Sequence, residues 1–271
     1  MRVPQFHSLL AVAAVLMMIP RAGQAQMLAY KAPRTTDGKP NLNGIWEAMN
    51  TANWDLRPHA AAQGPVLSLG AEFSIPPGPG VIEGGGDIPY LPAAAAQQKK
   101  NFENRLTQDP EVKCYMGGVP RSTYMPYPFE IVQSPKVIMI AYEYAGAART
   151  INMDKPREAP ADSWMGLSNG HWEGETLVVV VTDQNDQTWL DRAGDFHSSA
   201  MKVTERYTPR SADTLMYEAT IEDPNTFSRP WKISMPLYRH VEANAHVLEY
   251  KCPEFAEEAL YGKLRKKSAE K

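Results

Sequence analysis

Cysteine is the first scarcity: the 271 residues contain two, Cys114 and Cys252, with no C-x-x-C spacing to support thiol redox chemistry. Metal-ligand spacing is missing too. No H-E-x-x-H occurs, and the His171-x-Glu173 pair lacks the following P-C-x-x-C that a zinc deaminase needs, so no metal is expected. No G-x-S-x-G marks a nucleophile elbow, and no G-K-[ST] follows the Gly84-Gly85-Gly86 run, so that run is not a phosphate cradle. Strand and helix do not alternate in a βαβ rhythm, which excludes a dinucleotide-binding fold and leaves no cofactor to expect. After the first 25 residues no apolar run approaches the roughly 18 residues of a membrane helix. Basic excess is absent: 28 Lys and Arg stand against 31 Asp and Glu, a formal net charge of −3. A mildly acidic chain argues against nucleic acid and against insertion into anionic membranes.

What is present begins with an export signal. Arg2 precedes an apolar run from about Leu9 to Ile19, and small residues at Gly23 and Ala25 follow. This pattern predicts a signal peptide cleaved after about Ala25, with the mature protein in the periplasm or secreted. No cysteine stands immediately after the cleavage point, where Gln26 lies, so a lipid anchor is not expected. In an oxidising compartment Cys114 and Cys252 are expected to form a disulfide, with two buried free thiols as the alternative.

The texture of the chain divides it further. Residues 26–110 read as an extended strap that carries the first strand, "GIWE" from Gly44, and a helix from Ala93 to Leu106 rich in Ala, Gln and Lys. Within it, residues 55–90 are loop-like and dense in Pro and Gly, as a flap lying over the domain would be. Residues 111–253 hold strand-like segments rich in Val, Ile, Thr, Tyr and Trp, the last being "HVLEYKC", separated by turn residues such as Ser134-Pro135 and Asp223-Pro224-Asn225. In residues 254–271, Phe255, Ala259, Leu260 and Leu264 recur at helical spacing, which predicts a C-terminal helix. The fold expected is one mainly β domain: an antiparallel meander closing into a calycin-like barrel, with a short helix before it.

Several motifs together carry a resemblance. "TTDGKPNLNGIWE", "KCYMGGVPR", "MPYPFEIVQSP", "GHWEGETLVV", "TWLDRAGDFHS", "VTERY" and "RPWKISMPL" span nearly all of residues 34–252 and resemble a family of secreted bacterial proteins. That family commonly has "GRWEG" where this chain has His171. "GIWE" ahead of a run of strands is also similar to the opening of calycin and lipocalin-like barrels. These likenesses imply export and a barrel fold. They imply no reaction.

Chemistry concentrates between residues 188 and 207, "TWLDRAGDFHSSAMKVTERY". Strand alternation puts Met201, Val203, Glu205 and Tyr207 on one face and Lys202, Thr204 and Arg206 on the other. The apolar face belongs inside, so Glu205 is expected to point inward. There it is either an acid–base group or one half of an ion pair with an arginine of a neighbouring strand. His197 sits where the loop meets the strand and is the candidate proton carrier beside it. Asp191 either orients His197 or caps backbone N–H groups after Trp189 and Leu190 have docked. Arg206 and Arg192 are candidates to hold an anionic group if the register is shifted. Tyr142 and Tyr144 share a face with Ile138 and Ile140, and with Trp189 and Tyr207 they are candidates to line a site for a flat ligand.

The function expected is an exported, cofactor-independent enzyme. It would use acid–base chemistry, as a lyase, isomerase or hydrolase, on a hydrophobic or aromatic small molecule, with His197, Glu205 and Asp191 catalytic. The alternative is a non-catalytic periplasmic binding protein for a lipophilic small molecule. A structural envelope protein using its proline-rich strap is a weaker third.

Overall fold

The computed structural model describes residues 30–64 and 74–250. The expected signal peptide, the expected C-terminal helix and Cys252 lie outside the described residues. Nine strands form one closed barrel in chain order: β1 (Gly44–Glu47), β2 (Phe129–Gln133), β3 (Val137–Tyr142), β4 (Ala148–Asn152), β5 (Leu167–Glu173), β6 (Thr176–Thr182), β7 (Lys202–Ser211), β8 (Thr214–Glu222) and β9 (Trp231–Arg239). Pairing of Trp46 with Arg239 and Glu47 with Tyr238 closes the ring. The helix α1 (Pro92–Gln108) and the single turn α2 (Arg121–Tyr124) lie between β1 and β2.

The pattern read from the sequence explains the longest strands. Buried and partly buried residues alternate through β7, β8 and β9. Val203, Glu205 and Tyr207 face Ile221, Ala219 and Tyr217 across the β7–β8 ladder, so the register places Glu205 inside, as the alternation predicts. Side chains fill the lumen: Phe129, Ile140, Val179, Val203, Ile233 and Leu237 belong to one continuous core. A barrel of this strand number is just wide enough for its interior to be filled this way.

Two expectations need correction. The sheet is not a pure antiparallel meander, because β4 and β5 run parallel, held only at Ile151–Ser168 and Asn152–Asn169. The connector, residues 153–166, explains this. It is too long and too proline-rich for a hairpin, and a parallel return needs a crossover of about a dozen residues or more. The second correction concerns "HVLEYKC": its described part, 246–250, forms no strand. Its last residue, Tyr250, packs its ring 5.0 Å from Tyr144 and 5.3 Å from Tyr127 instead.

The strap has a structural task. Because β1 is so short, most of β9 would be left as an open edge, which invites pairing with another chain. Val81 and Ile82 cover that edge: Ser234 donates its N–H to the Val81 carbonyl at 2.9 Å, and Ile82 bridges Ile233. Helix α1 closes over the loop that leads into β7. Asn101 and Gln98 donate to the carbonyls of Gly194 and Ala193. Gly194 has φ +86°, and a Cβ there would stand 2.8 Å from the α1 backbone, so only glycine fits beneath the helix.

Candidate functional site

Glu205 is fully buried and bolted across the lumen. Its Oε2 accepts from Arg149 Nη1 at 2.7 Å and its Oε1 from Arg149 Nη2 at 3.0 Å. The Tyr207 and Tyr217 hydroxyls donate to Oε1 at 2.9 and 2.8 Å. Arg149 comes from β4, which is not adjacent to β7 in the sheet, so the pair spans the barrel rather than joining neighbours. Its remaining N–H groups reach the Tyr142 hydroxyl at 3.0 Å, Ser168 Oγ at 3.3 Å and the Tyr207 hydroxyl at 3.1 Å. A guanidinium has five N–H donors, and all five are engaged. Burial pushes the Tyr207 and Tyr217 phenols well above their ordinary range, and the Glu205 charge adds to it. They remain neutral donors. This polar layer is saturated, and of the two readings of Glu205 the geometry favours the ion pair.

His197 and Asp191 go elsewhere. The imidazole Nε2 lies 2.6 Å from Thr188 Oγ1, and Nδ1 lies 3.0 Å from the Ser198 carbonyl. A neutral ring with its proton on Nδ1 satisfies both contacts. Burial lowers the His197 pKa and so favours that neutral form. Asp191 does not orient it. Its carboxylate accepts the N–H of Leu56 at 3.0 Å and of Asp195 at 3.1 Å, which is the backbone-capping role. Ser198 Oγ bonds Asp223 at 2.8 Å, so no Ser–His–Asp array forms.

The acidic loop is nonetheless unusual. Asp55, Asp191 and Asp195 bring carboxylate oxygens within 4.8 Å of one another, a spacing that a cation could share. The donors are already spent on the fold. Asp195 takes Arg57 Nη1 at 2.6 Å and the Tyr90 hydroxyl at 2.9 Å, tying strap to loop. Burial raises the Asp191 pKa well above the usual carboxylate range, with Asp195 beside it adding to the shift. Asp55 is raised too, by burial and by the Asp195 charge. Nearby, Arg192 holds Glu111 through two bonds of 2.6 and 2.8 Å, and Arg121 joins Glu111 to Asp109. Burial works against the Glu111 charge, but Arg192 and Arg121 hold its pKa down at about 2.

The remaining candidates separate. Tyr142 lines the lumen beside Phe129, ring centroids 5.4 Å apart, and bonds Arg149. Tyr144 leaves the strand in a 3-10 turn and donates to the Glu111 carbonyl at 3.3 Å, outside the polar layer. Trp189 is buried in the loop, bridged to Phe196. Arg206 points outward to Glu173 at 2.8 Å, as the register requires, so it cannot hold a ligand in the lumen. Arg192 lies half-buried over the Trp54 ring at 5.0 Å, its guanidinium already held by Glu111.

A groove of about 400 Å³ lies over the β4–β5 seam. Met116, Met139, Trp164, Met165 and Leu167 line it, together with Arg149. Tyr115 packs on Trp164 with ring centroids 4.8 Å apart. Arg149 therefore belongs both to the groove and to the lumen bolt. Sequence reasoning overlooked Arg149, although it shares an inward face with Ile151, and Tyr217, which shares one with Leu215 and Ile221. The groove had no sequence signal, since its residues come from separate segments.

No family model matches the chain, and no curated protein matches it.

Proposed function

We propose that this is an exported, calycin-like barrel protein that binds a flat, lipophilic small molecule in the groove over the β4–β5 seam. The observation that carries the reading is the groove itself: a volume in the range of small-molecule sites, walled by Trp164 and three methionines. Thioether side chains are polarizable and adapt to irregular apolar shapes, so such a wall accepts an aromatic body without a fixed polar pattern. The lumen, by contrast, is filled and its polar layer saturated. Titration with the neutral fluorophore N-phenyl-1-naphthylamine tests the reading. The wild type should give a saturable 1:1 rise in emission. Trp164→Ala should weaken it at least tenfold, and Phe102→Ala, at an exposed site outside the groove lining, should leave it unchanged. Equal affinity in all three proteins would refute it.

Acid–base turnover is the second reading. One observation favours it: Asp55 is partly exposed and its pKa is raised, next to the buried Asp191–Asp195 pair. Raised carboxyls in close company suit proton transfer. Were this the function, Asp55→Asn would abolish consumption of a substrate whose binding persists, whereas His197→Gln and Glu205→Gln would act through stability alone.

A further inference from the structure

Most of the half-buried and buried arginines follow a rule. Arg57, Arg121, Arg149 and Arg192 each hold a carboxylate at 2.6 or 2.7 Å. Arg239, at the end of β9, does not. Its Nε and Nη1 donate to the backbone carbonyls of Ala212 and Asn43 at 3.0 and 2.7 Å. Its one carboxylate neighbour among the described residues, Asp213, stands 3.7 Å away with its side chain 60% exposed. Among the described residues, three of its five N–H groups meet no hydrogen-bond acceptor, in contrast to Arg149.

The chain makes room for this cation deliberately. The guanidinium lies 4.1 Å over the Trp46 ring. A Cβ on Gly44 would stand 2.0 Å from its Nη1, so the glycine of "GIWE" is what admits it. Beside it is a cavity of about 310 Å³, walled by Trp46, Leu215, Pro209, Ala32 and Tyr30. Burial lowers the Arg239 pKa, a sign that the charge is poorly solvated, while Asp213 and the Tyr30 phenol favour it. A half-buried guanidinium with spare donors is suited to a carboxylate, which it meets with two parallel bonds.

We propose that the cavity at the β7–β8 turn end of the barrel binds a small organic carboxylate, its anion on the free edge of the Arg239 guanidinium and its apolar body against Leu215 and Pro209. The site is separate from the groove. It is built on β1, β9 and the joined ends of β7 and β8, at the end of β7 opposite the loop that holds Asp191 and His197.

Benzoate is the probe, with benzamide as its neutral isostere, read from the Trp46 indole N–H signal of the mature protein. Benzoate should shift that signal saturably, and benzamide should bind at least tenfold more weakly. Arg239→Gln should abolish the benzoate shift, and Arg239→Lys should weaken it by losing the paired geometry. Asp213→Asn removes the competing anion at an exposed turn and should tighten benzoate severalfold, which keeps the test valid should the arginine variants fail to fold. Equal binding of benzoate and benzamide, or an Asp213→Asn protein that binds benzoate no more tightly, overturns the proposal. Naphthylamine binding should be the same in wild type and Asp213→Asn, so failure of this site and failure of the groove can be told apart.

Discussion

At the scale of single residues, charge burial decides most outcomes. Arg149 and Glu205 are at most 5% exposed, and each is the other's counter-ion. Removing one leaves the other charged and unpaired in the lumen, which costs about 3–5 kcal/mol. Arg149→Met and Glu205→Leu should each destabilise by that order in chemical denaturation. The double variant should cost less than the sum of the two, because it leaves no orphan charge. Asp191 behaves differently. Its folded pKa is raised, so the folded protein holds a proton that the unfolded chain releases. Its contribution to stability is therefore full below the ordinary carboxylate pKa and is lost as pH rises through the raised value. Asp191→Asn mimics the protonated acid and should flatten that decline in a series of melts, at a cost near 1 kcal/mol for the weakened backbone cap. A wild type whose stability rises across the same range, with no change in the variant, would contradict the assignment. Glu111 has the opposite sign: its depressed pKa supports stability that disappears only as pH falls from the usual glutamate value toward about 2.

At the scale of elements, the parallel seam between β4 and β5 is, with the β1–β9 junction, one of two weak lines of the barrel. Two register pairs hold it, whereas the β7–β8 ladder runs from Lys202–Glu222 to Ser211–Thr214. Backbone groups with few neighbours open at lower free energy. Amides of β4 and β5 should exchange with solvent faster than those of β7 and β8, and equal protection would mean the seam is no weaker than the rest. The elements also show what a sequence can and cannot carry. The face of β7 was legible because Met201, Val203, Glu205 and Tyr207 repeat at period two, and the structure keeps that register. The helix was legible from its composition, and it spans Pro92–Gln108 against an expected Ala93–Leu106. The parallel return into β5 was not legible, because strand direction depends on where residues 153–166 run, and no periodicity encodes that. The partner of Glu205 was hidden for the same reason: Arg149 is 56 positions away and meets it only through closure of the barrel. His197 and Asp191 were picked out for their chemistry, and burial among backbone groups gave both to the fold.

At the scale of the whole molecule, three layers lie from inside to outside: a filled lumen bolted by an ion pair, a sheet with one thin parallel seam, and a strap that covers the exposed edge of β9. The described chain ends at Tyr250 against Tyr144, whose hydroxyl bonds the Glu111 carbonyl, three positions before Cys114 in sequence. That placement supports the proposed Cys114–Cys252 disulfide, although Cys252 lies outside the described residues. Peptide mapping of the unreduced protein should find the two cysteines in one linked fragment, and reduction should lower stability by up to about 4–5 kcal/mol for so long a loop. Free thiols in the unreduced protein would remove the pairing.

The central claim is that ligand enters the groove and not the lumen, and methyl spectra of protein labelled at its methionines decide it. Met116, Met139 and Met165 line the groove, Met165 reaching it from the edge of the core, while Met201 and Met235 belong to the core and are not part of the groove lining. Addition of N-phenyl-1-naphthylamine should shift the first three signals and leave the other two in place. Shifts centred on Met201 and Met235, with the groove methionines unmoved, would put the ligand inside the barrel and contradict the account.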